Sequence, residues 1–150
     1  MTDGALIKII LAAVDASDRA PRVFDTAAAL AAKFGARLHL IRVISIPPEF
    51  PPAAAASHAD ELPAHLEQLA IAQLSELSLR APDLSIPSPI IAMGQQPWRL
   101  ILEHAQRLRA DLIVLGSHGY GGWDRVLGTT AGKVANLADR NVLVVHSPLE

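Results

Sequence analysis

The chain has 150 residues, a mass of 16.0 kDa, a formal charge of −2 and no cysteine. One domain accounts for that length, and the missing cysteines exclude disulfide scaffolds, thiolate catalysis and cysteine zinc sites. The charge balance argues against a general nucleic-acid binder, no apolar run approaches the roughly 20 residues of a membrane helix, and Met1-Thr2-Asp3-Gly4 lacks a positive leader, so a cytoplasmic protein is expected. Hydrophobic residues reach 51% but aromatics only 4%, so the core must be aliphatic.

Ile7 to Val14 is an apolar run interrupted only by Lys8, the pattern of a strand covered on both faces. A helix follows, with Ser17 or Asp18 as N-cap, Pro21 in the first turn, an apolar stripe of Val23, Ala27, Leu30 and Phe34, and Gly35 as the stop. Leu38 to Ile46 reads as the second strand, and Pro47-Pro48-Glu49-Phe50-Pro51-Pro52 breaks the pattern into a loop. From about Asp60 to Leu79 the leucines at 62, 66, 69, 74 and 77 mark a second amphipathic helix. Ile86 to Met93 is a third strand; Pro87 and Pro89 remove ladder donors and place it at a sheet edge. Pro97 opens a third helix with Leu100, Ile101, Ala105 and Leu108 on one face. Asp111 to Leu115 is a fourth strand, 129–138 a fourth helix and Asn141 to His146 a last strand.

Strands buried on both faces and alternating with helices predict an α/β fold, a three-layer αβα sandwich around a five-stranded, mostly parallel sheet with four helices. Ligands of such sheets bind beyond the carboxyl ends of the strands, where the strand order reverses. That rule singles out Asp15-Ala16-Ser17, the loop after Val43, and Gly116 to Thr130. The last of these leaves a buried strand and enters a helix. Its glycines allow main-chain amides to approach a phosphate, the helix N-terminus supplies unpaired N–H groups, and the Thr129 and Thr130 hydroxyls can donate to the same oxygens or cap the helix. Gly128-Thr129-Thr130-Ala131-Gly132-Lys133-Val134 is not a P-loop: it is one residue short between glycines and has Val where Ser or Thr would hold magnesium.

Gly116-Ser117-His118-Gly119, then Gly128-Thr129, resembles the nucleotide motif of the universal stress protein family, and the resemblance extends over essentially the whole chain. Ala110 to Leu115 looks like that family's fourth strand, Asn141 to Val145 like its last, and Val14-Asp15 like the pair it places beside the nucleotide. The resemblance implies a Rossmann-like fold of the adenine nucleotide alpha hydrolase type and binding of ATP, with Mg2+ accompanying the phosphates. It implies that Asp15 sits near the ribose or phosphates, with Ala13 and Val14 among the nucleotide-binding residues, and that Val43 touches adenine. Leu115, Gly116, His118 and Gly119 would line the nucleotide, and Gly128, Thr129 and Thr130 would hold its phosphate tail. It further implies a stress-response regulator that forms a homodimer through its last strand.

Four positions depart from the family pattern. Eight rather than nine residues separate Gly119 from Gly128, Ala13 replaces a common Pro, Ala16 a common Gly, and Gly94-Gln95-Gln96-Pro97 is one residue longer than the usual Gly-x-Pro turn. Two other functions stand beside ATP binding: slow ATP hydrolysis, for which Asp15 and Arg125 are the available groups, and a dimeric interaction module without nucleotide. No histidine pair has zincin spacing, and neither Ser117 nor Thr129 has an evident activating base, so neither a protein-ligated metal nor a catalytic nucleophile is expected.

Overall fold

The structure, a computed structural model, describes residues 4, 6–45, 61–117 and 128–147. Among these, nine elements alternate: β1 (Ile9–Ala13), α1 (Ala20–Phe34), β2 (Arg37–Ser45), α2 (Glu61–Ser78), β3 (Ile90–Gly94), α3 (Pro97–Leu108), β4 (Leu112–Gly116), α4 (Thr129–Leu137) and β5 (Asn141–Val145). The strands form one sheet in the order β3-β2-β1-β4-β5, and every pairing is parallel. β3, expected at an edge, is one edge of the sheet, and β5 is the other.

Alternation along the strands splits the core into two layers. Ile10, Ala12, Val14, Leu38, Leu40 and Val114 meet α1 and α2, whereas Leu11, Ile41, Ile113 and Leu115 meet α3 and α4. Small residues let α1 lie close to the sheet: Ala20, Ala27, Ala28 and Ala31 are buried on it, beside Val23 and Phe24. Val23 and Ala27 of the expected stripe are in this core and Leu30 packs against it, but Phe34 is 43% exposed.

Three local readings change. The third strand starts at Ile90 rather than Ile86, since its pairing with β2 begins at Ile41 opposite Ile90, just beyond the two prolines that cannot donate. The N-cap of α1 is Arg19, with no side-chain cap; the Ser17 hydroxyl accepts the Arg19 N–H at 3.3 Å and the Ser17 carbonyl accepts the Ala20 N–H at 3.1 Å, so a turn precedes the helix. Gly35 ends α1 as expected, in the left-handed conformation at φ 65°. The longer Gly94–Pro97 turn is closed by Leu100, whose Cδ1 would lie 2.8 Å from a Cβ at Gly94.

Two half-buried histidines tie stability to pH. Desolvation holds the imidazoles of His39 on β2 and His104 on α3 below the ordinary 6.5. Arg37 adds to this at His39 and Arg107 at His104, with Glu103 opposing at the latter. The unfolded chain then binds these protons more readily than the folded one, so the stability involved is complete above pH 6.5 and is lost as the pH falls through the lower folded values. The melting temperature is expected to drop on acidification from about pH 7.5 to about pH 5.5, and less steeply in His39→Gln; identical slopes would remove His39 from the account.

Candidate functional site at the switch point

β1 lies between β2 and β4, so the chain turns toward opposite faces of the sheet from neighbouring strand ends: β1 leads to α1 and β4 to α4. The carboxyl ends of these two strands flank the crevice that such a topology opens. Ala13 pairs with Leu115 across it, and both side chains pack on the α3/α4 side. Val43, on the same side, lies two residues beyond Ile41, the partner of Ala13, so β2 extends past the end of β1.

The other sequence-selected residues divide by role. Val14 is 1% exposed in the α1/α2 core, so at the crevice it offers main chain only. Asp15 is exposed, and its Oδ1 accepts both the Ser17 N–H at 2.9 Å and the Ser17 hydroxyl at 2.6 Å. This turn fixes the carboxylate where β1 opens toward α1. Gly116 closes β4 next to α1: a Cβ there would lie 3.3 Å from Val23 Cγ2. Between these groups is a cavity of about 20 Å³, room for one water, lined by Ala13, Asp15, Arg19, Gly116 and Val145 among others.

Ser117 and Gly128 bracket the glycine-rich segment and are bonded to each other. The Gly128 N–H donates to the Ser117 carbonyl at 2.8 Å, while the Ser117 N–H donates to Val145 O at 3.0 Å. The segment is thus pinned at its base to the end of β5, with both anchors buried. His118 and Gly119 lie outside the described residues. At the far anchor, Gly128 is the N-cap of α4 with no side-chain cap, and no acidic residue occupies the first turn. Exposed Thr129 and half-buried Thr130 follow, so the first N–H groups of α4 emerge beside their hydroxyls.

Sequence reasoning missed Arg42. It stands in β2 with 7% exposure, and its guanidinium lies beneath the β1–α1 turn. Nε donates to Val14 O at 3.1 Å, Nη2 to Asp15 O at 2.8 Å, and Nη1 to Oε1 of Gln73 on α2. Burial pulls its pKa below the ordinary arginine value, and the nearby Asp15 charge opposes that. The signal was an arginine inside an apolar strand covered on both faces, where a charge must find partners. Trp98 packs against the α3/α4 core with the Lys133 ammonium 5.2 Å above its ring, joining α3 to α4. Among the described residues no group of three His, Asp or Glu is placed to hold a metal, and no helix is long and apolar enough to cross a membrane.

Five parallel strands, two helices on each face and a crevice at the reversal of strand order define a Rossmann-like α/β domain. The model of the universal stress protein family matches residues 6–146, and the chain belongs to that family. Universal stress protein A homolog 1 of Coxiella burnetii is 32% identical over 140 residues, spanning 92% of this chain and 95% of the relative. The solved universal stress protein UspA from Lactobacillus plantarum superposes with a TM-score of 0.74 at 28% identity, over 93% of this chain and 98% of that one. A universal stress protein solved in complex with cAMP gives a TM-score of 0.63 at 26% identity, over 93% and 97% of the two chains.

Proposed function

We propose that this chain, a single domain over 1–150, binds an adenine nucleotide, ATP first among them, at the switch-point crevice and serves as a cytoplasmic stress-response regulator. The observation that carries the proposal is the N-terminus of α4, whose N-cap Gly128 is bonded to Ser117 just past the end of β4, the strand beside the one that ends at the Asp15 turn. A helix start favours an anion, and this one begins with two threonines. The related protein with bound cAMP supports the ligand class. In this reading Val43 borders the base, Asp15 faces the ribose and phosphates beside Ala13 and Val14, and Leu115 and Gly116 line the nucleotide. His118 and Gly119 line the phosphates, and Gly128, Thr129 and Thr130 hold the tail. A magnesium ion would be carried mainly by phosphate oxygens, with Asp15 a carboxylate at hand among the described residues. Titration calorimetry should show saturable heat with ATP, and no heat at millimolar ATP would refute the proposal.

The regulator acts as a homodimer in this proposal. β5 is an edge strand whose Val142, Leu143, Val144 and Val145 are only half-buried, so a second copy pairing along it would satisfy an open ladder and cover apolar surface. Sedimentation at tens of micromolar is expected to give a dimer, and a Leu143→Lys variant a monomer. Wild-type protein sedimenting as a monomer overturns the assembly.

A further inference from the structure

Arg42 occupies a place where charge is costly, the interior of a strand between two helical layers. What it bonds is specific. Val14 and Asp15 lie just beyond the last paired residue of β1, where the ladder retains only the Val14 N–H bond to Ile41 O at 2.9 Å. One guanidinium edge takes both carbonyls, Val14 O at 3.1 Å and Asp15 O at 2.8 Å. These carbonyls belong to the two peptide planes on either side of the Asp15 Cα. Fixing the direction of both planes fixes φ and ψ of Asp15, and so the direction in which its side chain leaves the backbone. The third nitrogen reaches Gln73, which holds the fork against rotation from the α2 side.

We propose that Arg42 is the positioning residue for Asp15: its planar fork replaces the missing ladder and sets the carboxylate toward the nucleotide crevice. This rests on the nucleotide-binding reading for its functional half, while the loop geometry itself can be tested without ligand. Lysine at this position keeps the charge but offers a point rather than a fork, so it cannot hold two peptide planes at once.

The test uses Arg42→Lys, Asp15→Ala and the double variant, with Gln73→Ala as a milder perturbation of the same fork. Without ligand, the Ser17 amide, bonded to Asp15 Oδ1, should exchange about tenfold faster in Arg42→Lys, while core amides of β1 and β4 keep their protection. With ATP, Arg42→Lys should bind about tenfold more weakly than wild type, the equivalent of one charge-assisted hydrogen bond misdirected. The same substitution should change affinity less than about twofold when Asp15 is already Ala, since its effect passes through that carboxylate. Unchanged Ser17 exchange in Arg42→Lys, or affinity losses that multiply in the double variant, overturns the proposal. Wild-type protein without affinity for ATP overturns the nucleotide reading and the functional half together; the Ser17 amide then decides the positional half alone.

Discussion

Gly128→Val is expected to abolish saturable ATP binding. Gly128 has φ −57° and ψ 158°, an extended conformation open to any residue, so the substitution introduces no backbone strain. Its N–H bond to Ser117 and its carbonyl bond from the Gly132 N–H, both 2.8 Å, are main-chain bonds that valine can also make. What valine adds is a branched side chain at the point where phosphate oxygens would approach the first turn of α4. Calorimetry should read a loss of more than about 100-fold, or over about 2.7 kcal/mol. A melting curve on the same sample shows whether the protein is folded. A folded Gly128→Val protein that binds ATP normally would move the phosphates away from this helix.

Phe24→Ala should be the most damaging single truncation in the described core. Phe24 is fully buried and is the largest such side chain, on a helix whose other buried neighbours are mostly alanines. Those alanines bring α1 so close to the sheet that the space around position 24 has little flexible material to refill it. A rigid surrounding leaves the cavity open, and such truncations cost about 3–5 kcal/mol. For a domain of this size that corresponds to a melting temperature lower by roughly 10 °C. Leu30→Ala, half-buried on the same helix, serves as the comparison and should cost much less. Equal losses from the two would mean that the α1 layer repacks freely.

Most of the architecture was legible because apolar period and glycine or proline punctuation agree along the chain. Gly35 stops α1 where predicted, Pro97 opens α3, and the prolines before β3 mark an edge. Strand limits were less legible: Ile86 has the right side chain for a strand, but where pairing begins is set by β2 and by missing donors, not by hydropathy. The α1 stripe holds at Val23, Ala27 and Leu30 but not at Phe34, which looks like a core residue by spacing, whereas the docked helix buries Phe24 instead. At the crevice, the motif residues on β1, β2, β4 and the start of α4 come to neighbouring strand ends as topology requires. Arg42 announces itself only as a charge inside an apolar strand; which groups it holds, main-chain carbonyls and an amide from α2, is set by the tertiary fold. Ser117 contributes through its main chain, bonding Val145 and Gly128, a role that no side-chain chemistry announces.

The central place of β1 has a consequence for how the protein is made. Asp111 Oδ2 accepts the N–H groups of Lys8 at 2.8 Å and Ile9 at 3.0 Å, bonds that join residues 103 and 102 positions apart. A nascent chain can assemble β1, β2 and β3 early, but one side of β1 stays open until β4 has left the ribosome. Over that interval the most apolar strand of the protein presents a bare hydrogen-bonding flank, and slow non-local closure of this kind exposes a chain to aggregation. Chaperone demand should therefore peak late in translation, when some two-thirds of the polypeptide has emerged and the middle of its sheet still lacks a neighbour.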